Sequence, residues 1–114
     1  MMDARLPAHL EVAGLIRAIG AEGGFGMVLS KGERDAGTIL LVLVHHGADA
    51  RLYERLPELD GSRPWRCIRR QDPDAPDDFP AYLDRRKAQD PDVWIVELDV
   101  AQAERFIGVE PDKG

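Results

Sequence analysis

Seven consecutive residues, Thr38-Ile39-Leu40-Leu41-Val42-Leu43-Val44, constrain this chain more than any other feature. A strand with one wet face alternates apolar and polar side chains, because successive side chains point to opposite sides. This run does not alternate. It predicts a strand buried on both faces and therefore central in its sheet.

The flanking segments can be read around that strand. Val12, Leu15, Ile16 and Ile19 recur at i, i+3, i+4 and i+7, which predicts an amphipathic helix over Pro7 to Ala21. Pro7 suits its start, and Gly23-Gly24 its stop. Gly14 lowers the helix propensity, and close packing against a neighbouring element is the expected reason for it. Phe25 to Ser30 reads as a first strand, and Lys31 to Gly37, polar with two glycines, as a hairpin loop. After the buried strand, His46-Gly47-Ala48-Asp49 makes a turn into a third strand, Ala50 to Leu56. Leu59-Asp60-Gly61-Ser62 carries an Asp-Gly turn signal ahead of a fourth strand, Pro64 to Arg69. Short links between four strands predict an antiparallel meander, since parallel neighbours need long crossovers.

Asp72 to Asp78 is a proline-stiffened turn whose last carboxylates, Asp77 and Asp78, meet the positive end of a second helix. Phe79, Tyr82, Leu83 and Arg86 mark one face of that helix. Asp90-Pro91-Asp92 ends it, Val93 to Leu98 is a fifth strand, and Val100 to Ile107 a short closing helix. The expected fold class is α+β: an antiparallel sheet of about five strands. It comprises a four-stranded meander and a C-terminal strand, with one helix N-terminal and another before the last strand. The 114 residues fit one domain, 1–114, with its core over 7–107 and a polar tail over 108–114.

The net charge is −6, and the acidity lies in residues 71–114; residues 1–70 are nearly balanced. Such a surface repels phosphate backbones unless basic groups gather locally, so nucleic acid is disfavoured as a partner. Cys67 is the single cysteine, which excludes an internal disulfide and fits a reducing cytoplasm. No apolar run reaches the length of a membrane span, and Met1 to Leu10 lacks the pattern of a signal peptide. A cytoplasmic protein is expected.

Each candidate motif has a plainer structural reading beside it. His45-His46 invites a metal, but adjacent strand residues point apart and the chain lacks the usual ligand set. Asp72, Asp74, Asp77 and Asp78 lack the central glycine and terminal glutamate of a calcium loop. Neither a metal nor a cofactor is expected. Cys67 reads as a small buried filler rather than a catalytic thiol. Arg63, Arg66, Arg69 and Arg70 beside Trp65 form the most basic stretch, suited either to single-stranded nucleic acid or to structural ion pairs. Lys31 to Gly37 is a glycine-flanked charged loop without the order of a P-loop; Lys31 and Arg34 there are candidate anion contacts. Asp90-Pro91-Asp92-Val93-Trp94 offers carboxylates for acid–base work, or a turn and a core anchor.

Four features resemble a small family of uncharacterised bacterial proteins catalogued as a domain of unknown function. They are the first helix running into Gly24-Phe25; Lys31-Gly32 with Asp35-Ala36-Gly37; Leu52-Tyr53 with Arg63 and Trp65; and Tyr82-Leu83 leading into Asp90 to Glu97. The resemblance spans about residues 10–107. Members of that family often carry a tryptophan early in the first helix, and this chain has none there. The resemblance implies no activity, cofactor or partner, and no catalytic residue is assigned.

The leading expectation is a non-catalytic binding or protein-interaction module, as a homodimer or with another protein. The alternatives are an enzyme acting on a small anionic molecule and a binder of single-stranded nucleic acid. Lys31, Arg34, Asp35, Arg66, Asp92 and Trp94 are the candidate ligand-binding residues.

Overall fold

The computed structural model describes residues 6–109. The elements run α1 (Ala8–Ala21), β1 (Phe25–Ser30), β2 (Ile39–His45), β3 (Ala48–Arg55), β4 (Trp65–Arg70), α2 (Asp78–Gln89), β5 (Trp94–Asp99) and a short 3-10 helix η1 (Ala103–Ile107). The expected α+β class holds, with two α-helices and one five-stranded sheet. Most of the expected polar tail, residues 110–114, lies outside the described residues.

The strand order is β1-β5-β2-β3-β4. The four-stranded meander therefore contracts to three strands, β2-β3-β4. β5 enters between β1 and β2, antiparallel to the first and parallel to the second. Burial explains the choice. Four of the first five side chains of β5, Trp94 to Leu98, are buried, whereas β1 has no buried residue. A strand apolar toward both layers gains most from a central place, and β1 is left at the margin. The segment from Lys31 to Thr38 is accordingly a step across the end of β5, not a hairpin.

β2 lies in the middle of the sheet, as its unbroken apolar run requires, and Ile39 to Val44 are all buried. Its side chains alternate between two cores. Ile39, Leu41 and Leu43 join Trp94, Val96 and Leu98 beneath Val12 and Ile19 of α1 and Ala103 of η1. Leu40, Val42 and Val44 join Leu52, Val93 and Ile95 beneath Phe79 of α2. The sheet is thus covered by α1 and η1 on one face and by α2 on the other. α2 is the crossover that the parallel strand requires.

Local details follow from the chain. His46 and Gly47 both have positive φ, so β2 and β3 join through a two-residue turn whose twist suits a hairpin. The closing helix is shorter than expected, because Val100 still donates to Val44 and Gln102 turns left-handed before η1 begins. Gly14 does not pack closely: a Cβ there would meet nothing within 4 Å. Among the described residues, no helix is long and apolar enough to cross a membrane.

Candidate functional site

The two motifs that stand out in the sequence, Lys31 to Gly37 and Asp90 to Trp94, meet at one end of the sheet and lock together. Glu33 donates its N–H to the Asp92 carbonyl at 2.9 Å, and the Trp94 indole donates to the Glu33 carbonyl at 2.7 Å. The Glu33 carboxylate accepts the N–H groups of Asp35 and Ala36. Gly32 and Gly37 are required by the same contact, since a Cβ on either would overlap the Asp92 carbonyl oxygen. The closed loop then caps α1. No side chain caps that helix; Ala8 and His9 donate instead to the carbonyls of Asp35 and Arg34, each at 2.9 Å. Two orphan donors of the helix start are satisfied in this way.

Five of the six candidate residues thus lie on or beside this lock. The backbones of Arg34, Asp35 and Asp92 are engaged in it, Trp94 is buried in the core, and Lys31 is exposed just after β1. Arg66 is separate, on β4, in an ion pair with Glu58. Beside the lock is an open depression of about 950 Å³, lined among others by Glu11, Asp35, Arg55, Asp60, Ser62 and Arg63. Several of its polar groups are engaged with one another. Arg55 holds Glu11 through two hydrogen bonds of 2.6 and 2.7 Å, and Asp60 accepts from the Ser62 N–H and hydroxyl.

That Arg55–Glu11 pair is one of three arginine–carboxylate clamps that β3 makes with the helices, and no local spacing announced them. Arg55 reaches α1. Glu54 accepts two hydrogen bonds from Arg86 of α2, at 3.0 and 2.9 Å. Arg51 donates from Nε and Nη2 to Glu104 of η1, which also accepts from the Tyr53 hydroxyl at 3.2 Å. Paired planar forks of this kind are among the stronger polar contacts. Burial by itself would raise the Glu104 carboxyl, but the Arg51 hydrogen bonds and charge hold it below its ordinary value. Burial, and then the Glu104 charge, push the Tyr53 hydroxyl up to about 12.

The arginine-rich stretch on β4 is similarly engaged. Arg69 stacks on Tyr82 at 4.2 Å, Arg66 pairs with Glu58, and Arg63 and Arg70 also have partners. Trp65 is half-buried, with the Arg55 guanidinium over its ring at 4.5 Å. Cys67, expected to be buried, is exposed, because β4 is an edge strand and not an interior one. The His45 and His46 rings do approach, at 4.1 Å, since the turn rotates His46 out of the strand geometry. Among the described residues, no three histidine, cysteine or acidic side chains group to hold a metal.

At the opposite margin, β1 presents a surface the sequence reading missed. Phe25, Met27, Val28 and Leu29 are 63, 46, 39 and 44% exposed. Phe25 and Met27 lie opposite Asp99 and Glu97, on the face that α2 covers elsewhere. The helix does not reach this far: neither apolar core includes a β1 residue. Phe25 to Ser30 was expected as the first strand of a meander, and its apolar edge was passed over. The signal was the absence of any charge from Gly23 to Ser30.

A family model described as "Protein of unknown function (DUF1491)" matches residues 6–108. The chain belongs to this family. Two solved structures of a DUF1491 family protein from Caulobacter crescentus CB15 are each 32% identical to it, with a TM-score of 0.77. The crystal structure covers 91% of this chain and 96% of that one, and the NMR structure 98% and 100%. The solution structure of protein Atu0922 from A. tumefaciens, 24% identical with a TM-score of 0.75, covers 96% of this chain and 99% of that one, and shares the fold. No curated protein matches the chain. The loop lock joins two of the features that carried the sequence resemblance, Lys31 to Gly37 and Asp90 to Trp94.

Proposed function

We propose that this DUF1491 protein is a non-catalytic protein-interaction module that receives its partner along β1. The observation that carries this reading is the character of that edge. It is an uncharged strand with four exposed apolar side chains, paired among the described residues on one side only. Soluble proteins normally blunt such an edge with charge, proline or a covering element, because its free backbone groups template another strand. An edge left open in this way suits strand addition, in which main-chain hydrogen bonds supply affinity and alternate side chains supply selectivity.

The alternatives have less support. An anionic substrate needs cations to spare, whereas Arg55, Arg66 and Arg86 each hold a carboxylate. Base stacking needs an open aromatic face, and Arg55 covers one face of Trp65. The relatives and the lone exposed Cys67 support a bacterial, cytoplasmic setting.

A photo-crosslinking residue placed at Met27, and in a control at Arg66, tests the reading in the source cells. Discrete protein adducts at position 27 and none at 66 are expected. No adduct at 27, or the same adducts at both positions, removes the proposal.

A further inference from the structure

We infer that the strand added to β1 is β1 of a second copy, antiparallel to the first about a two-fold axis at Met27; this rests on the edge reading above. Four observations point to a second copy rather than to an unrelated peptide.

The first is self-complementarity. An isologous contact sets a surface against itself, so a charged edge would meet its own charge. β4, with Arg66, Arg69 and Arg70, is unsuited to that, whereas Phe25 to Ser30 holds no charged residue. The second is register. With Met27 opposite its own copy, Phe25 lies opposite Leu29 and Gly26 opposite Val28, so small meets large. Neighbouring registers set Phe25 against Lys31 or shorten the apolar overlap. The third is the ends. Glu22 precedes the strand by three residues and Lys31 follows it directly. An antiparallel pair brings the Lys31 end of each copy to the Glu22 end of the other, whereas a parallel pair would stack like on like.

The fourth is the open face. Phe25 and Met27 lie where α2 gives no cover, and two copies would set Met27 against its symmetry mate and Phe25 against Leu29 of the other copy, at the middle of one continuous sheet. The bulge between Val28 and Ser30 keeps the flat stretch short. Standard stable interfaces engage roughly 20–30 residues on each side. A six-residue strand is well short of that, so the dimer is expected to depend on concentration.

Sedimentation equilibrium of the full chain, from micromolar to millimolar, should show the mass doubling. Met27→Lys should remain folded by circular dichroism, since Met27 is half-exposed, yet stay monomeric over the same range. Directly opposed residues in an antiparallel pair have Cβ atoms about 4.5–5.5 Å apart. Met27→Cys in a Cys67→Ser background should therefore form an intermolecular disulfide on mild oxidation, and Arg66→Cys in the same background should not. A wild-type chain that stays monomeric, a dimer that Met27→Lys leaves intact, or equal crosslinking at positions 27 and 66 overturns the inference. A monomer whose Met27 crosslinker still captures a different protein would sink the second copy and leave the interaction reading standing.

Discussion

Along β3 and β4, charge is everywhere and nearly always answered. Arg51, Glu54 and Arg55 of β3 reach η1, α2 and α1 in turn, and Arg66 and Arg69 of β4 find Glu58 and Tyr82. β1, three strands away from β3, contributes no ion pair and no buried side chain. It is held to the sheet by β5, and it approaches α1 where Gly26 lies under Ile16. The contrast separates two tasks. One half of the sheet spends its polar side chains fastening helices; the other leaves an apolar margin that requires little for the fold. If that division is real, substitutions on the two sides should differ sharply in their effect on stability.

The largest effect is expected at Glu104. Its side chain is 6% exposed and its partner Arg51 15% exposed. Removing one member of a buried pair leaves the other charge unanswered, so Glu104→Ala should cost about 3–5 kcal/mol in urea unfolding. The double variant Arg51→Met/Glu104→Leu should recover most of that loss, because no stranded charge remains. A loss below about 1 kcal/mol for Glu104→Ala would break the contrast between the two halves.

Next is the lock between loop and strand. Gly32→Ala would place a methyl on the backbone of Asp92 and Val93, which no rotamer change relieves. Overpacking of this kind costs typically about 1–3 kcal/mol. The thermal midpoint of Gly32→Ala should fall. Gly14→Ala, with open space around the new methyl, should raise it slightly. Equal behaviour of the two variants would show that the lock does not hold the end of the sheet.

Acid should act on the same half. The Glu104 carboxyl is held below its ordinary value in the fold, so the folded state binds its proton less readily than the unfolded chain does. The stabilisation is present above the unfolded value of about 4.3 and is lost as pH falls through the lower folded value. Tyr53 works the other way: its hydroxyl is raised to about 12, so stability declines as pH climbs from about 10. Denaturant midpoints measured against pH should show both limbs. Glu104→Gln should flatten the acid limb, whereas Phe25, Met27 and Leu29 variants should leave its shape unaltered.

Much of the fold was legible because it rests on periodicity. The run Ile39 to Val44 placed β2 at the centre, and the stripe of Val12, Leu15, Ile16 and Ile19 faces the core as spaced. Strand order was not legible. Local links suggested that β1 and β2 were neighbours, and nothing local says that β5 separates them. The clamps were hidden for the same reason: Arg55 and Glu11 are 44 residues apart, Arg86 and Glu54 are 32, and Arg51 and Glu104 are 53. A charge shows in the sequence, but its partner is chosen by the packed helices. The lock was half visible, since its glycines and Trp94 stood out while the contact between them did not. Cys67 was misplaced because burial on β4 depends on its being an edge.

The smallest expected change in stability tests whether charge is what keeps the β4 edge single. Arg66 and Glu58 are 57 and 42% exposed, and exposed pairs contribute about 0–1 kcal/mol, so Arg66→Val should barely move the unfolding midpoint. It would, however, remove a charge from an edge strand and set a β-branched apolar residue in its place. If arginines are the device that prevents pairing at β4, this variant should associate through a second surface, giving species larger than a dimer in sedimentation. With Met27→Lys added, association should fall back to a dimer and not to a monomer, because the new contact lies at the opposite margin of the sheet. A variant that matches the wild type in both stability and mass would mean that strand twist or side-chain packing, not charge, distinguishes the two edges.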